Sequence, residues 1–122
     1  MNIGYIIKMD EEKELLDNIK EYVKEAEKSK QDGAYNSATT LYFKAIAVLI
    51  DLFILKKEGT TPTNHNERFK ILKTKYQELY KILDKDFPIY QRSYRIKLTK
   101  EYLKILEDDF KKVIKFTDIK ID

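Results

Sequence analysis

The chain has no cysteine among its 122 residues, and this absence excludes several kinds of chemistry at once. Disulfides, thiolate nucleophiles and cysteine-ligated metal sites all require a thiol. A chain without thiols fits a reducing intracellular compartment, so we expect a cytoplasmic protein.

Length limits the number of domains. A chain of 122 residues falls in the range of one domain that can still bury a substantial core. We therefore expect a single domain over residues 1–122, with its core at about 10–116. The polar end TDIKID, residues 117–122, is expected to be frayed.

Charge of one sign does not dominate the chain. Its 24 Lys plus Arg and 21 Asp plus Glu leave a net charge of only +3, too small to indicate nucleic-acid binding by itself. The charge is unevenly distributed, because residues 1–61 hold 9 basic and 11 acidic residues (net −2) and residues 62–122 hold 15 and 10 (net +5). An anionic partner would favour the second half.

Long hydrophobic runs and common catalytic motifs are also scarce. Lys44 and Asp51 interrupt the best candidate for a membrane span, and the N-terminus MNIGYIIKMDEE has neither a basic leader nor a cleavable apolar core. We therefore expect no membrane segment and no secretion signal. Glycine-rich phosphate loops, His-plus-carboxylate metal sites and nucleophile elbows are missing too, so we expect no metal and no cofactor.

The chain does contain helical periodicity throughout, with no alternating strand pattern. A first helix is predicted from Asp10 to Asp32, with Gly33 as its stop. A second helix is predicted to begin near Asn36 or Ser37 and to end just before Gly59.

Three further helices are predicted in the second half. The apolar face of the third continues to Leu83. Pro88 suits a first helical turn, so a shorter fourth helix is predicted from Asp86 to about Lys97. The candidate N-caps are Thr63, Asn64 and Asn66 for the third helix and Thr99 for the fifth.

The second predicted helix is almost uncharged and is apolar over more than one narrow stripe. Alanines among its apolar residues let neighbouring helices come close, so we expect it to be the spine of the fold. The sequence therefore predicts an all-α, single-domain antiparallel bundle of about five helices.

The order of these elements and three short motifs resemble the HEPN domain family. The motifs are Gly-x-Tyr-x-x-Ala opening the second helix, Pro-x-x-His before the third and Arg-x-Tyr in the fourth, and the resemblance covers roughly Leu15 to Phe116. It implies a small antiparallel helical bundle that commonly forms a homodimer. It also implies either a minimal nucleotidyltransferase as partner protein or a metal-independent ribonuclease activity.

Ribonucleases of this family use an Arg, then four to six residues, then a His, brought together across a dimer. In this chain His65 is the only histidine, and Arg68, Arg92 and Arg95 all follow it. The usual acid and base for phosphodiester cleavage is therefore missing. We expect a non-catalytic, HEPN-like dimeric binding module that engages a nucleotidyltransferase or a nucleotide or nucleic acid. The alternative is a HEPN-type ribonuclease toxin with an atypical active site around Arg92 and Arg95.

The densest positive run supplies the candidate ligand site. Arg92, Arg95 and Lys97 follow closely on one another, and Tyr94 lies among them; we name these four residues the basic patch. Two arginines three residues apart share a helix face that suits phosphate, and a tyrosine can stack on a base. In the alternative interpretation, the arginines bond to a carboxylate of a neighbouring helix or of a partner subunit.

His65 has two interpretations as well. Beside Asn64 in a Pro-containing loop, it is placed to contact a nucleotide, and with the basic patch the two residues would line one shallow groove. The structural interpretation is that the ring nitrogens of His65 bond loop carbonyls or cap the third helix.

A thin polar line on the second helix contains Lys44 and Asp51. A charge on a buried helix must reach water, a counterion or a subunit boundary, because burying it unpaired is costly. The line is therefore either a narrow solvent-facing stripe, or a cleft or dimer seam in which Lys44 and Asp51 meet Arg92 or Glu101.

Overall fold

A computed structural model describes residues 2–121, and every regular element in that range is an α-helix. The helices are α1 (Ile3–Gln31), α2 (Tyr35–Glu58), α3 (His65–Lys75), α4 (Gln77–Arg92) and α5 (Lys100–Thr117). The predicted all-α bundle of five helices is confirmed for these residues. Met1 and Asp122, at the ends of the predicted domain, lie outside the described range.

Helix α2 is the centre of the bundle. It packs against α1, α4 and α5, and its contact with α1 is the most extensive in the molecule. Of its 24 residues, 14 are buried. Three of its alanines, Ala38, Ala45 and Ala47, are among the buried set, in agreement with the close helix packing expected from the sequence.

Glycines and asparagines set the helix boundaries much as predicted. Gly33 and Gly59 have φ angles of 73° and 86°, the left-handed conformation that terminates a helix at little cost for glycine. Asn64 caps α3, because its side-chain Oδ1 accepts a hydrogen bond from the backbone N–H of Glu67 at 2.9 Å. Helix α1, however, begins seven residues before the predicted Asp10, at Ile3. Asn2 supplies its cap by accepting from the N–H of Gly4 at 2.7 Å.

The predicted third and fourth helices have different bounds in the structure. The chain leaves helical conformation at Tyr76 (φ −134°, ψ 70°), so α3 ends there and α4 begins at Gln77. The Tyr76 hydroxyl donates to Glu58 at 2.7 Å and its ring meets Phe53 edge-on, which anchors the break on α2. Pro88 lies inside α4 rather than in a first turn. The ring is exposed at the surface, where water can satisfy the carbonyl that a proline leaves unbonded.

The C-terminal tail contributes to the core. Asp118, at φ 56°, turns the chain after α5, and Ile119 is only 8% exposed. Ile121 packs against the same core cluster. The tail was expected to be frayed because of its polar composition, but its two isoleucines supply apolar surface that packs against the bundle.

The apolar character of α2 also bears on membrane insertion. By length and composition alone α2 qualifies as a candidate membrane span, although Lys44 and Asp51 within it were expected to exclude a membrane span. In the structure, 78% of its most apolar window is buried inside the bundle. That burial is compatible with the core helix of a soluble protein.

Candidate functional site

The basic patch lies at the end of α4 and in the segment that leads to α5. Arg92, Tyr94, Arg95 and Lys97 are all exposed, and Tyr94 is 71% exposed. All of these residues except Lys97 border a cleft of about 790 Å³. The predicted ligand residues of this region therefore do lie together.

One amide holds the backbone of this segment in place. The Nδ2 of Asn36, in the first turn of α2, donates to the carbonyls of Ser93 (3.0 Å) and Ile96 (2.7 Å), and its Oδ1 accepts from the N–H of Leu98 (2.7 Å). We name these three bonds the Asn36 clamp. Because they satisfy three backbone groups outside any helix, the position of the basic patch is tied to the core helix.

The cations of the basic patch are not neutralised by neighbouring acids. Within residues 2–121, Arg92, Arg95 and Lys97 form no ion pair; the only side-chain bond among them is a long one, 3.5 Å, from Arg92 Nη1 to the hydroxyl of Tyr102. The structural interpretation, in which a carboxylate of a neighbouring helix binds these arginines, does not hold within the described chain. The cations remain available to an anion.

His65 and Asp51 belong to a different arrangement, built around Arg68. Nε and Nη2 of Arg68 donate to the two carboxylate oxygens of Asp51 at 2.7 and 2.8 Å, and Nη1 lies 3.1 Å from Nδ1 of His65. Asp51 and Arg68 are 13% and 14% exposed. We name Asp51, Arg68 and His65 the brace. The brace joins α2 to the start of α3 through the bidentate ion pair of Arg68 with Asp51.

The brace corrects two expectations. Asp51 meets Arg68, one turn into α3, and not Arg92 or Glu101. Lys44 is exposed and forms no ion pair within the described chain, so it lies in the solvent-facing part of the polar line. His65 neither bonds a loop carbonyl nor caps α3, since Asn64 is the cap and Arg68 faces the ring.

The geometry of the brace also fixes the protonation of His65. A guanidinium only donates, so Nδ1 accepts and the proton of the neutral ring is on Nε2. Nε2 is buried with no hydrogen-bond partner. Burial first, and then the charge of Arg68, lower the pKa of His65, and the charge of Asp51 opposes them only in part. A neutral imidazole with both nitrogens enclosed is poorly placed to exchange protons with a substrate.

A row of aromatic rings separates His65 from the basic patch. The ring centroids of His65 and Phe87 are 4.1 Å apart, those of Phe87 and Tyr90 6.2 Å, and those of Tyr90 and Tyr94 5.5 Å. His65 borders a cleft between α3 and α4, whereas the arginines border the cleft at the other end of the row. The single groove expected from the sequence is therefore divided in two.

A buried acid pair was not predicted. Asp86 on α4 is fully buried and neither carboxylate oxygen has a hydrogen-bond partner, while Asp109 on α5 is 1% exposed and lies 2.9 Å from Lys85 Nζ. Burial first, and then the neighbouring Asp109 carboxyl and its charge, raise the pKa of Asp86 to about 9. Asp86 was predicted to begin the fourth helix, and nothing in its spacing distinguishes it from a surface acid.

The fold and these sites define a small all-α bundle with an unneutralised basic end. Comparisons with models of protein families, with curated proteins and with solved structures found no match to this chain. The HEPN resemblance therefore stays a prediction from the sequence.

Proposed function

We propose that the protein is a non-catalytic, HEPN-like binding module of the cytoplasm that binds a nucleotide or nucleic acid by its phosphates at the basic patch. The observation that carries this proposal is the set of exposed cations, Arg92, Arg95 and Lys97, without acidic partners in residues 2–121. The Asn36 clamp supports it, because a positioned backbone loses less conformational entropy on binding.

A salt titration tests phosphate binding. Two or three phosphate contacts predict that affinity for a short fluorescent oligonucleotide falls roughly ten- to fortyfold for a fourfold rise in salt. Charge reversal in the Arg92→Glu/Arg95→Glu variant is expected to abolish binding. The matched control is Lys13→Glu/Lys20→Glu on α1, where two exposed lysines are reversed in the same way. Equal loss in both variants, or no binding even at low salt, would contradict a site at the basic patch.

The absence of catalysis has its own experiment. With His65 enclosed in the brace, we expect no cleavage of structured or single-stranded RNA in the absence of metal. Cleavage that disappears in folded Arg92→Ala or Arg95→Ala protein would favour the alternative, a ribonuclease with an atypical site.

Two partners belong to the same proposal: a second copy of the chain and a minimal nucleotidyltransferase. The family resemblance supports both. A neighbouring nucleotidyltransferase gene in the genome, followed by co-expression and size-exclusion chromatography of the two products, tests the second. Separate elution of the two proteins at micromolar concentration would count against it.

A further inference from the structure

A second cleft, between α3 and α4, has a composition of its own. It holds about 480 Å³, within the range of small-molecule sites, and shares no lining residue with the cleft at the basic patch. We name it the aromatic cleft, because Phe69, Tyr80, Phe87 and the His65 ring border it.

The Phe69 ring stands at a steep angle to two other rings of the aromatic cleft. Phe69 meets His65 at 76° with centroids 4.5 Å apart, and it meets Tyr80 at 85° and 5.9 Å. All four rings are only partly buried, so each presents apolar surface to the cleft. Ring faces and edges in this arrangement favour a flat aromatic group, which can stack on one wall and meet another edge-on.

Two lysines at the rim supply positive charge. Lys70 and Lys73 are three residues apart on α3 and therefore neighbours on its surface, and both are exposed. Neither ammonium forms an ion pair or hydrogen bond within residues 2–121. The remaining charged side chains of α3 do have partners there: Glu67 bonds Thr63, Arg68 bonds Asp51 and Lys75 bonds Glu58. The free charge of α3 is thus concentrated at this cleft.

The wall of the cleft is held in place before any ligand arrives. The brace fixes the His65 ring through Arg68, and Asn64 fixes the first turn of α3. A preformed wall lowers the entropic cost of binding, which distinguishes a site from a chance depression between mobile side chains.

We propose that the aromatic cleft binds a small planar aromatic anion, with its ring against Phe69, Tyr80 and Phe87 and its anionic group on Lys70 and Lys73. A nucleoside monophosphate and an aromatic carboxylate share this chemistry. Asp84, also at the cleft, accepts a hydrogen bond from a ring N–H or hydroxyl and repels a second negative charge. This site is separate from the one in the proposed function, and neither depends on the other.

Titrations of the ¹⁵N-labelled protein followed by NMR test the proposal. The probes are AMP and indole-3-acetate, which carry both a ring and an anion, with adenosine and ribose 5-phosphate as the halves. At least one complete probe is expected to cause saturable chemical-shift changes at residues of α3 and α4. Adenosine and ribose 5-phosphate are each expected to bind about tenfold more weakly or worse, a difference of about 1.4 kcal/mol. If only AMP binds, the anionic group is a phosphate, and if only indole-3-acetate binds, it is a carboxylate.

Variants separate this site from general electrostatics. Lys70→Gln/Lys73→Gln is expected to weaken binding about tenfold, whereas Lys20→Gln/Lys24→Gln, which changes two exposed lysines of α1, leaves it unchanged. Arg92→Glu/Arg95→Glu leaves it intact, so loss of phosphate binding at the basic patch does not affect this result. Shifts confined to residues 92–97, equal losses in the two lysine variants, or no saturation by either complete probe would overturn the proposal.

Discussion

Asp86 shows how one buried side chain sets a pH dependence. The unfolded chain titrates this carboxyl near its ordinary pKa of 3.8, whereas burial and Asp109 raise its pKa in the folded state to about 9. Between those values the folded state binds the extra proton, so its contribution to stability is complete below pH 3.8 and is lost as pH rises toward 9. Lys85 and Lys112, which flank the pair, limit the shift without reversing it.

Replacing Asp86 with Asn therefore has a pH-dependent effect. An uncharged amide of similar shape removes the group that must stay protonated, so the stability of Asp86→Asn relative to the parent should rise with pH between the two pKa values, by at most about 1.4 kcal/mol per pH unit. Urea unfolding between pH 5 and pH 9 measures this. Asp84→Asn, two residues earlier on α4 and exposed, is the matched control and should keep the parental profile. An unchanged profile in Asp86→Asn would show that Asp86 is ionised in the folded protein.

The brace leads to a second prediction for single residues. Asp51→Asn leaves the Arg68 guanidinium largely buried without a counterion, and loss of one partner from such a pair costs about 3 kcal/mol. Denaturant unfolding at neutral pH measures the decrease in the free energy of unfolding, and Asp17→Asn, at an exposed position of α1, is the control. A loss below about 0.5 kcal/mol would mean that solvent replaces Asp51 as the partner of Arg68.

At the scale of elements, apolar composition and caps made most of the fold predictable. The central place of α2 follows from its apolar run. Gly59 indicates the end of α2 and Asn64 the start of α3, because glycine and asparagine are preferred at these cap positions. The break at Tyr76 has no such signal, because neither glycine nor proline is near it and its cause is a tertiary contact with Glu58 and Phe53.

The candidate site was predictable only in part, because some of its contacts join residues that are distant in the sequence. The basic patch is contiguous in sequence, so its residues could be found together. Arg68 follows His65 by three residues, a spacing that puts the two on one helix face, yet its bond to Asp51 depends on how α3 packs on α2. The aromatic row joins rings from α3, from α4 and from the segment after α4, and periodicity within each helix does not show which rings meet.

The Asn36 clamp is the element-scale feature with the most direct consequence for binding. Asn36→Ala removes three hydrogen bonds to the segment 93–98, so we expect a loss of about 1–3 kcal/mol and faster amide exchange there. Oligonucleotide affinity at the basic patch should fall with it. Hydrogen exchange measured by mass spectrometry is the readout, and exposed Ser37→Ala is the control. Exchange rates in 93–98 equal to those of the parent would count against the clamp.

At the scale of the whole molecule, the distribution of exposed apolar residues bears on dimerisation. The sequence suggested that α2 carries surplus apolar surface, but most of that surface is buried within the protomer. The largest exposed set lies instead at the start of α1 and comprises Ile3, Tyr5, Ile6, Ile7 and Met9. A concentration of exposed apolar residues in one segment is typical of an interface.

If the protein is a dimer, the first turns of α1 are therefore the expected seam. Ile6→Glu/Ile7→Glu should convert it to a species of the 14.6 kDa protomer mass in sedimentation experiments at micromolar concentration. Lys44→Glu on exposed α2 surface should leave the dimer intact. The reverse pattern would place the seam on α2, and a parent protein that sediments as a protomer would remove the dimer from the proposal.

Helix α3 fully buries only Leu72, in contrast to the 14 buried residues of α2. Its other anchors are the brace, the Lys75–Glu58 ion pair and the ring contacts that His65 and Phe69 make with α4. A helix with so few anchors opens as a cooperative unit at a lower free energy than global unfolding. Limited proteolysis should therefore begin in the loop 59–64, where every residue except Thr61 and Pro62 is exposed. A ligand in the aromatic cleft should slow that first cut while leaving the rate of global unfolding nearly unchanged.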